Sequence, residues 1–335
     1  TASAGNITQN GGALTVAGTS SFTTSADDAD ITLSNAGNAL TGAVTFVSDD
    51  TNTNNAEDVD LTNSIATVLA ANTASGTLDV SSVGNISQTG ALVAGSTSTF
   101  ATTATDATIT LGTTTNALGG TVAFTTAGTA GNVTIDNGTT ALDLATSTIN
   151  GTLTATGGAS AGIVDSGNVA VAGNVTLTTD AGNGVINMGT LQQSAGDLIL
   201  VTNGNGAATV VNNAAIDFGT SNVRGALSAT ASAGTITQNG GALTVAGTSA
   251  FTTSTNDQAI TLGDTSNALT GAVAFTTGGT TGNVTIDNGT TALDLAASTI
   301  SGTLTATGGA SAGIVDSGNV AVAGNVTLTT DAGNG

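Results

Sequence analysis

Residues 132–145 read NVTIDNGTTALDLA, and the same fourteen letters return without a change at 283–296. Near the start of this stretch Val133 and Ile135 alternate with polar residues. A period of two over three to five residues predicts a short β-strand with one buried face. The Asn-Gly pair that follows predicts a tight corner, because both residue types tolerate positive φ.

The second half of the stretch repeats the pattern, with Leu142 and Leu144 predicted to face inward and Asp143 outward. A helix is not favoured anywhere, because Thr, Gly, Asn and Val dominate and no period of 3.6 persists. Six further stretches alternate in the same way: ALTVAG (13–18), DITLS (30–34), AVTFV (43–47), GTLTATG (151–157), NVAVAGNVTLTT (168–179) and DLILVT (197–202).

Longer repeats surround these strands. Residues 124–184 and 275–335 align without gaps and are identical at 57 of 61 positions. A block with Phe, then Ile at +9, Asn at +16 and a second Phe at +24 occurs three times, beginning at Phe22, Phe100 and Phe251. A catalytic site is needed once per domain, so such repetition predicts that the sequence builds length.

The offsets between these blocks are 78, 151 and 229, and these values lie near four, eight and twelve times 19. We therefore predict an all-β fold, a right-handed parallel β-solenoid with coils of about 19 residues. We expect one continuous array over 1–335 that is a piece of a longer chain. The same offsets also fit tandem sandwich domains of about 75 residues. The narrow interior of a solenoid is favoured because the chain has seven Phe, no Trp and no Tyr.

Charge excludes several partners. The formal net charge is −21, and Arg224 is the only basic residue. Nucleic-acid binding and attraction to anionic lipids both need clusters of Lys and Arg. We therefore expect the chain to bind neither. No apolar run approaches the ~18 residues of a membrane helix, so no membrane insertion is expected. Because the chain has no Cys, disulfides and thiolate metal sites are also excluded.

The residue types also argue against catalysis. The chain has no His to activate a Ser nucleophile, and we interpret Arg224 as a solvated turn residue and not as a base. The acids are scattered over the repeats as if they decorated outer faces. We expect no enzymatic activity, no catalytic or cofactor-binding residues and no cofactor.

Calcium is the one cofactor that a local pattern suggests. The stretch SDDTNTNNAEDVD (48–60) departs from the repeat, and Asp50, Asn52 and Asn54 have the odd-position spacing of a calcium loop. Asn55 replaces the usual Gly, and Leu61 stands where a bidentate Glu belongs. A solvated acidic loop is therefore the favoured interpretation, with calcium binding as the alternative.

Three polar patterns recur. The Asn before Ala-Leu is predicted to form an internal or corner amide ladder between coils; it occurs at Asn38, Asn116 and Asn267. Thr-rich rows at 151–157 and 302–308 resemble the flat faces of ice-binding solenoids, but the irregular coil lengths argue against aligned rows. Nine Asn-x-Ser/Thr sequons, among them Asn6, Asn85 and Asn132, are expected by chance in such a composition.

The stretch GNITQNGGALTVAGTSSFTTSADDADITLSNAGNALTGAVTF (5–46) resembles the β-helical repeats of bacterial surface exoproteins of the filamentous-haemagglutinin and autotransporter type. The resemblance covers essentially the whole chain and implies secretion to the cell surface. It also implies a rod used in a fibre, a sheath, a matrix or an adhesin stalk, with copies of the same chain as partners. An adhesin that binds host or environmental glycans through one face is the alternative.

Overall fold

The computed structural model describes residues 1–48, 57–180, 182–309 and 313–331. Within these ranges the regular elements are β-strands, and no helix is present that could cross a bilayer. The alternating segments found in the sequence all contain strands at the predicted places. The predicted all-β class is therefore confirmed.

The chain forms two compact units, Thr1–Ala172 and Gly173–Gly335. Each unit has its own strands and its own core. The single continuous array over residues 1–335 stays a prediction.

The strands of the first unit are short, and none exceeds eight residues. They are β1 Ile7–Thr8, β2 Thr15–Val16, β3 Ser20–Thr24, β4 Ile31–Leu33, β5 Ala39–Leu40, β6 Val44–Ser48, β7 Val59–Asn63, β8 Thr67–Leu69, β9 Asn72–Ala74, β10 Leu78–Ser82, β11 Ile86–Gln88, β12 Leu92–Ala94, β13 Ser98–Thr105, β14 Ile109–Leu111, β15 Ala117–Leu118, β16 Thr121–Ala127, β17 Val133–Asp136, β18 Leu142–Leu144, β19 Ser147–Ile149, β20 Leu153–Gly157, β21 Ile163–Asp165 and β22 Val169–Val171.

These strands stack in two parallel ladders. The first ladder runs β1, β4, β7, β10, β13 and β16, then continues as the bent pairs β18/β19 and β21/β22. The second ladder runs β3, β6, β8/β9, β11/β12 and β14/β15, then β17 and β20. Strands β2 and β5 form a separate short pair. Because the chain passes from one ladder to the other and back in each turn, the unit is a parallel β-solenoid.

The second unit repeats this organisation with strands of three to ten residues and one of two. They are β23 Val175–Thr179, β24 Ile186–Gln193, β25 Leu198–Val201, β26 Ala208–Asn212, β27 Ile216–Val223, β28 Leu227–Ala231, β29 Ile236–Val245, β30 Ser249–Asn256, β31 Ile260–Leu262, β32 Ala268–Leu269, β33 Val273–Gly278, β34 Val284–Asp287, β35 Leu293–Leu295, β36 Ser298–Ile300, β37 Leu304–Gly308, β38 Ile314–Asp316, β39 Val320–Val322 and β40 Val326–Thr330.

These strands also form two parallel ladders. The third ladder runs β24, β26, β28, β30 and β33, then the bent pairs β35/β36 and β38/β39. The fourth ladder runs β23, β25, β27, β29, β31/β32, β34, β37 and β40. Both units thus have the predicted solenoid fold and not that of tandem sandwiches. The right-handed sense of the coil stays a prediction.

The core lies between the two ladders of each unit and is mainly aliphatic. Val133, Ile135, Leu142 and Leu144 are at most 1% exposed, as the alternation predicted, and Asp143 faces outward and is half-buried. Each inward aliphatic side chain contributes about 1.5–3 kcal/mol by leaving water. The stabilisation is therefore spread along the stack and does not depend on one central cluster.

Coil lengths vary more than the sequence predicted. Pairing places Leu78 one coil after Val59, a step that agrees with the predicted length. It also places Val59 one coil after Ile31, and that step is much longer. Most other steps are intermediate, as from Ile7 to Ile31. The predicted coil length therefore holds at only a few steps.

The coil length was predicted too short because two copies of the Phe-Ile-Asn-Phe block differ in phase by half a coil. Ile31 lies in the first ladder, whereas its counterpart Ile109 lies in the second. Two full steps lead from Ile31 to Leu78, half a coil leads to Ile86, and one more step reaches Ile109. The smallest block offset thus spans three and a half coils and not four.

Candidate functional surfaces

The recurrent asparagines form amide pairs with glutamines one coil earlier. Asn116 donates to Oε1 of Gln88 at 3.0 Å, and Gln88 donates to Oδ1 of Asn116 at 2.8 Å. Asn116 also donates to the carbonyl of Asp136 in the next coil at 2.8 Å. The counterparts are Asn38 with Gln9, and Asn267 with Gln238.

These contacts confirm an internal amide row, with one difference from the prediction. The side-chain partner is a glutamine of the preceding coil, and the partner in the next coil is backbone. The sequence carried a signal for the glutamine in the motif Ile-Thr/Ser-Gln, which ends at Gln9, Gln88 and Gln238. Because both amides are saturated inside the coil, they are unsuited to bind a ligand.

A second set of buried asparagines was not predicted from the sequence. Asn137 accepts the N–H of Leu118 at 2.9 Å and donates to the Leu118 carbonyl at 3.1 Å and the Ala141 carbonyl at 2.7 Å. Asn288 makes the same contacts with Leu269 and Ala292. At these corners a side-chain amide replaces the backbone partner that a neighbouring strand would supply.

Exposed corners carry a further row of side-chain bonds between coils. Asn132 stands just before β17, and its Oδ1 accepts the N–H of Thr152 in the next coil at 2.8 Å. Asn85 accepts the N–H of Thr108 at 2.9 Å in the same way. At two corners of the first unit acids take this role, because Asp30 accepts the N–H of Asp58 at 3.1 Å and Asp58 accepts the N–H of Thr77 at 2.8 Å. Side chains at these exposed corners therefore bond each coil to the next.

In two of the Phe blocks, the aspartate six residues after the first Phe accepts hydrogen bonds from a turn of the next coil. Asp106, at φ 61°, accepts the N–H groups of Thr129 and Ala130 at 2.7 and 2.8 Å. In the second unit, Asp257 accepts the backbone N–H groups and the hydroxyl groups of Thr280 and Thr281. These backbone N–H groups lower the pKa of both carboxyls, because they stabilise the charged form.

One pair of carboxylates on neighbouring strands destabilises the folded chain by electrostatic repulsion. Asp60 and Asp79 lie directly opposite each other in β7 and β10 of the first ladder, and both face outward. Burial, followed by the nearby charge of Asp79, raises the pKa of Asp60. Two carboxylates in register on neighbouring strands repel each other. This pair therefore reduces stability at neutral pH.

The predicted calcium loop lies largely outside the described residues. Asp50, Asn52, Asn54 and Asn55 are among those not described. On the described C-terminal flank, Glu57 is fully buried and accepts a hydrogen bond from the Ser75 hydroxyl at 2.6 Å. The described residues contain no group of three or more candidate metal ligands. Calcium binding by residues 48–60 stays a prediction.

Outward Thr and Ser residues form columns in register across coils. Ser87, Thr110, Thr134 and Thr154 lie in register on consecutive coils of the second ladder. The prediction that irregular coil lengths would prevent such alignment is wrong, because the length differences lie in the turns and leave the strand register intact. A matching column in the fourth ladder consists of Thr261, Thr285, Thr305 and Thr327.

Arg224 lies where the sequence placed it. It is exposed at a bend just after β27, and its backbone N–H donates to the Thr202 hydroxyl at 2.8 Å. Its interpretation as a solvated turn residue is confirmed.

These features define a tandem-repeat β-solenoid whose polar side chains connect successive coils. A model of the family described as repeats of unknown function, DUF5649, matches residues 1–47, 56–125, 130–201, 204–276 and 281–335. The matches cover most of the chain, and the chain belongs to this family. Neither the curated proteins nor the solved structures with which the chain was compared include a match.

Proposed function

We propose that the protein is a structural repeat element of an extracellular fibre, sheath or matrix, in which copies of the chain associate with one another. Under this proposal it acts at the cell surface without catalysis and without a resident cofactor. The resemblance to filamentous-haemagglutinin and autotransporter repeats supports the same role.

The observation that carries the proposal is the use of polar side chains to connect coils. The amides of Asn116 and Gln88, the corner amide of Asn132 and the carboxylate of Asp106 all bond to neighbouring coils. Each of these bonds joins one coil to the next, which is the role expected of residues that stabilise a stack. Selection for stacking explains why the same groups recur from repeat to repeat.

Electron microscopy of the protein at increasing concentration tests the proposal, and circular dichroism verifies the β-structure in the same samples. We expect fibres that lengthen as the concentration rises, because copies of the chain would associate with one another. Dispersed particles of constant size at every concentration would contradict the proposal.

An adhesin is the second candidate, and the threonine columns favour it. Thr110, Thr134 and Thr154 present hydroxyl groups in a straight row, with a spacing of about 4.8 Å set by the strands. A regular row of hydroxyls can form hydrogen bonds with the hydroxyl groups of a glycan. Replacing the three threonines by valine keeps the shape and should abolish binding on a glycan array, whereas unchanged binding would exclude this face.

A further inference from the structure

The nine sequons of the chain fall into two structural classes. Six have Ile or Val in the middle position, and three have Gly. The first class consists of Asn6, Asn85, Asn132, Asn174, Asn283 and Asn325, and the second of Asn137, Asn150 and Asn288.

All asparagines of the first class are exposed corner residues that directly precede a strand. In Asn85, Asn132 and Asn283 the Oδ1 atom accepts a backbone N–H of the next coil at 2.8–2.9 Å. The Nδ2 atoms of these three asparagines have no hydrogen-bond partner among the described residues, whereas Nδ2 of Asn6 donates to Oδ2 of Asp30 at 3.4 Å. The nitrogen that carries an N-linked sugar therefore faces solvent, while the oxygen holds the side chain in place.

The second class is arranged in the opposite way. Asn137 and Asn288 are fully buried, and their Nδ2 atoms donate to backbone carbonyls inside the coil. Asn150 is half-buried, and its Nδ2 atom donates to the Thr126 carbonyl at 2.8 Å. A folded chain conceals the nitrogen that a sugar would need.

The surroundings of the first class leave room for a bulky group. Asn85 and Asn132 lie two coils apart on the second ladder, with the corner at Thr108 between them. Two coils separate them by about 10 Å along the stack. The hydroxyl residue of each sequon, such as Thr134, points outward from the next strand. Each corner therefore presents both sequon side chains to solvent.

We propose that the Asn-Ile/Val-Thr/Ser corners are attachment sites for N-linked sugar on the folded protein. A sugar from a nucleotide-activated donor would form a bond between its anomeric carbon and Nδ2 of the asparagine. The nucleoside diphosphate leaves, and Nδ2 releases one proton. Because Oδ1 remains an acceptor in the product, the hydrogen bond to the next coil survives. The inference goes beyond the proposed structural role and does not depend on assembly.

The test compares two sequons that are five residues apart. The folded protein and a synthetic peptide of residues 128–145 are incubated with UDP-glucose and a soluble sequon-directed N-glycosyltransferase, and the sites are located by mass spectrometry. We expect sugar on both Asn132 and Asn137 in the peptide. In the folded protein, Asn132 should be modified at least tenfold more than Asn137. Equal modification of both sites in the folded protein, or none at Asn132, would overturn the proposal.

A matched variant and native material complete the test. Thr134→Ala removes the sequon but leaves Oδ1 of Asn132 bonded to Thr152, so sugar should disappear from Asn132 and remain on Asn85. The melting temperatures of the modified and unmodified proteins should agree. Protein isolated from the cells that make it should carry sugar at the corner asparagines. Native protein without sugar at these sites would overturn the assignment.

Discussion

At the scale of single residues, buried amides hold the corners of the coils together. Asn137 satisfies both the N–H and the carbonyl of Leu118, at a point where the chain has left the regular ladder. An unsatisfied buried backbone group costs about 1–3 kcal/mol. Such an asparagine therefore stabilises by preventing this loss.

We predict that Asn137→Ala lowers the free energy of unfolding by about 2–4 kcal/mol, because three hydrogen bonds to backbone groups disappear. Denaturant titration followed by circular dichroism measures this change. Thr134→Ala, on the outward face of the same coil, should change stability by less than about 0.5 kcal/mol. Similar losses for the two variants would show that the amide is not a structural element.

Carboxylates give a prediction for the pH dependence of stability. The pKa of Asp60 is raised in the folded chain, so folding favours the protonated form. The unfavourable contribution of this residue is therefore absent below its unfolded pKa and grows as pH rises through its folded pKa. Asp60→Asn should raise the melting temperature at pH 7 and leave it nearly unchanged in acid. An unchanged melting temperature at pH 7 would contradict an unfavourable charge on Asp60, which burial and then the nearby charge of Asp79 disfavour.

Asp106 should show the opposite pH dependence of stability and serves as the control for Asp60. Its pKa is lowered by the two N–H groups that it accepts, so its contribution is present above the unfolded pKa and is lost as pH falls through the folded pKa. Asp106→Ala should therefore lower the melting temperature at pH 7, and the difference from the parent should shrink in acid.

The sequence revealed only part of this residue-level network. Asn38, Asn116 and Asn267 could be assigned to an internal row because their spacing is constant. Their glutamine partners and the clamp at Asp106 were missed, because both contacts join residues more than twenty positions apart. Which side chains meet across coils depends on the coil register, which local patterns do not define.

At the scale of strands, the alternating pattern was sufficient to predict where strands form and which of their faces are buried. Short runs such as residues 133–136 became strands with the predicted faces, because one buried side defines the orientation of each strand. Coil length could not be predicted in the same way. Both ladders offer the same inward geometry, so a repeat can be displaced by half a coil without exposing its apolar residues.

The paired phenylalanines allow a test at this scale. Phe100 is fully buried and stacks on Phe124 of the next coil with ring centroids 5.9 Å apart. Phe100→Ala should cost about 3–5 kcal/mol, because it removes a large side chain from a packed core. Phe22 holds the same block position and stacks on Phe46, but it is only half-buried. Phe22→Ala should cost clearly less in the same denaturant titration, and equal losses would contradict the burial difference.

At the scale of the whole molecule, two of the family matches span a half-integral number of coils, whereas the first match begins two whole coils before the second. Matches begin at residues 56 and 130, and the strands that follow, β7 and β17, lie in the first and second ladders. In the second unit, matches begin at 204 and 281, before β26 of the third ladder and β34 of the fourth. Two successive repeats of this length would together span a whole number of coils.

Net charge predicts how copies respond to salt. With a net charge of −21, repeated acids on neighbouring copies repel each other at low ionic strength. Salt screens this repulsion over about 10 Å at 0.1 M. Light scattering should show stronger association at high salt than at low salt. Association that is independent of ionic strength would show that charge repulsion does not limit assembly.

The most direct test of the account measures distances between residues that are one and three coils apart. Since the chain has no Cys, nitroxide labels can be attached to cysteines placed at Thr110 and Thr134, or at Ser87 and Thr154. Stacked coils predict labelled backbone sites about 5 Å apart for the first pair and about 14 Å apart for the second. Electron paramagnetic resonance should therefore show strong dipolar broadening in the first pair and weaker broadening in the second. Doubly labelled spectra that equal the sum of the single-label spectra would contradict the stacked-coil structure.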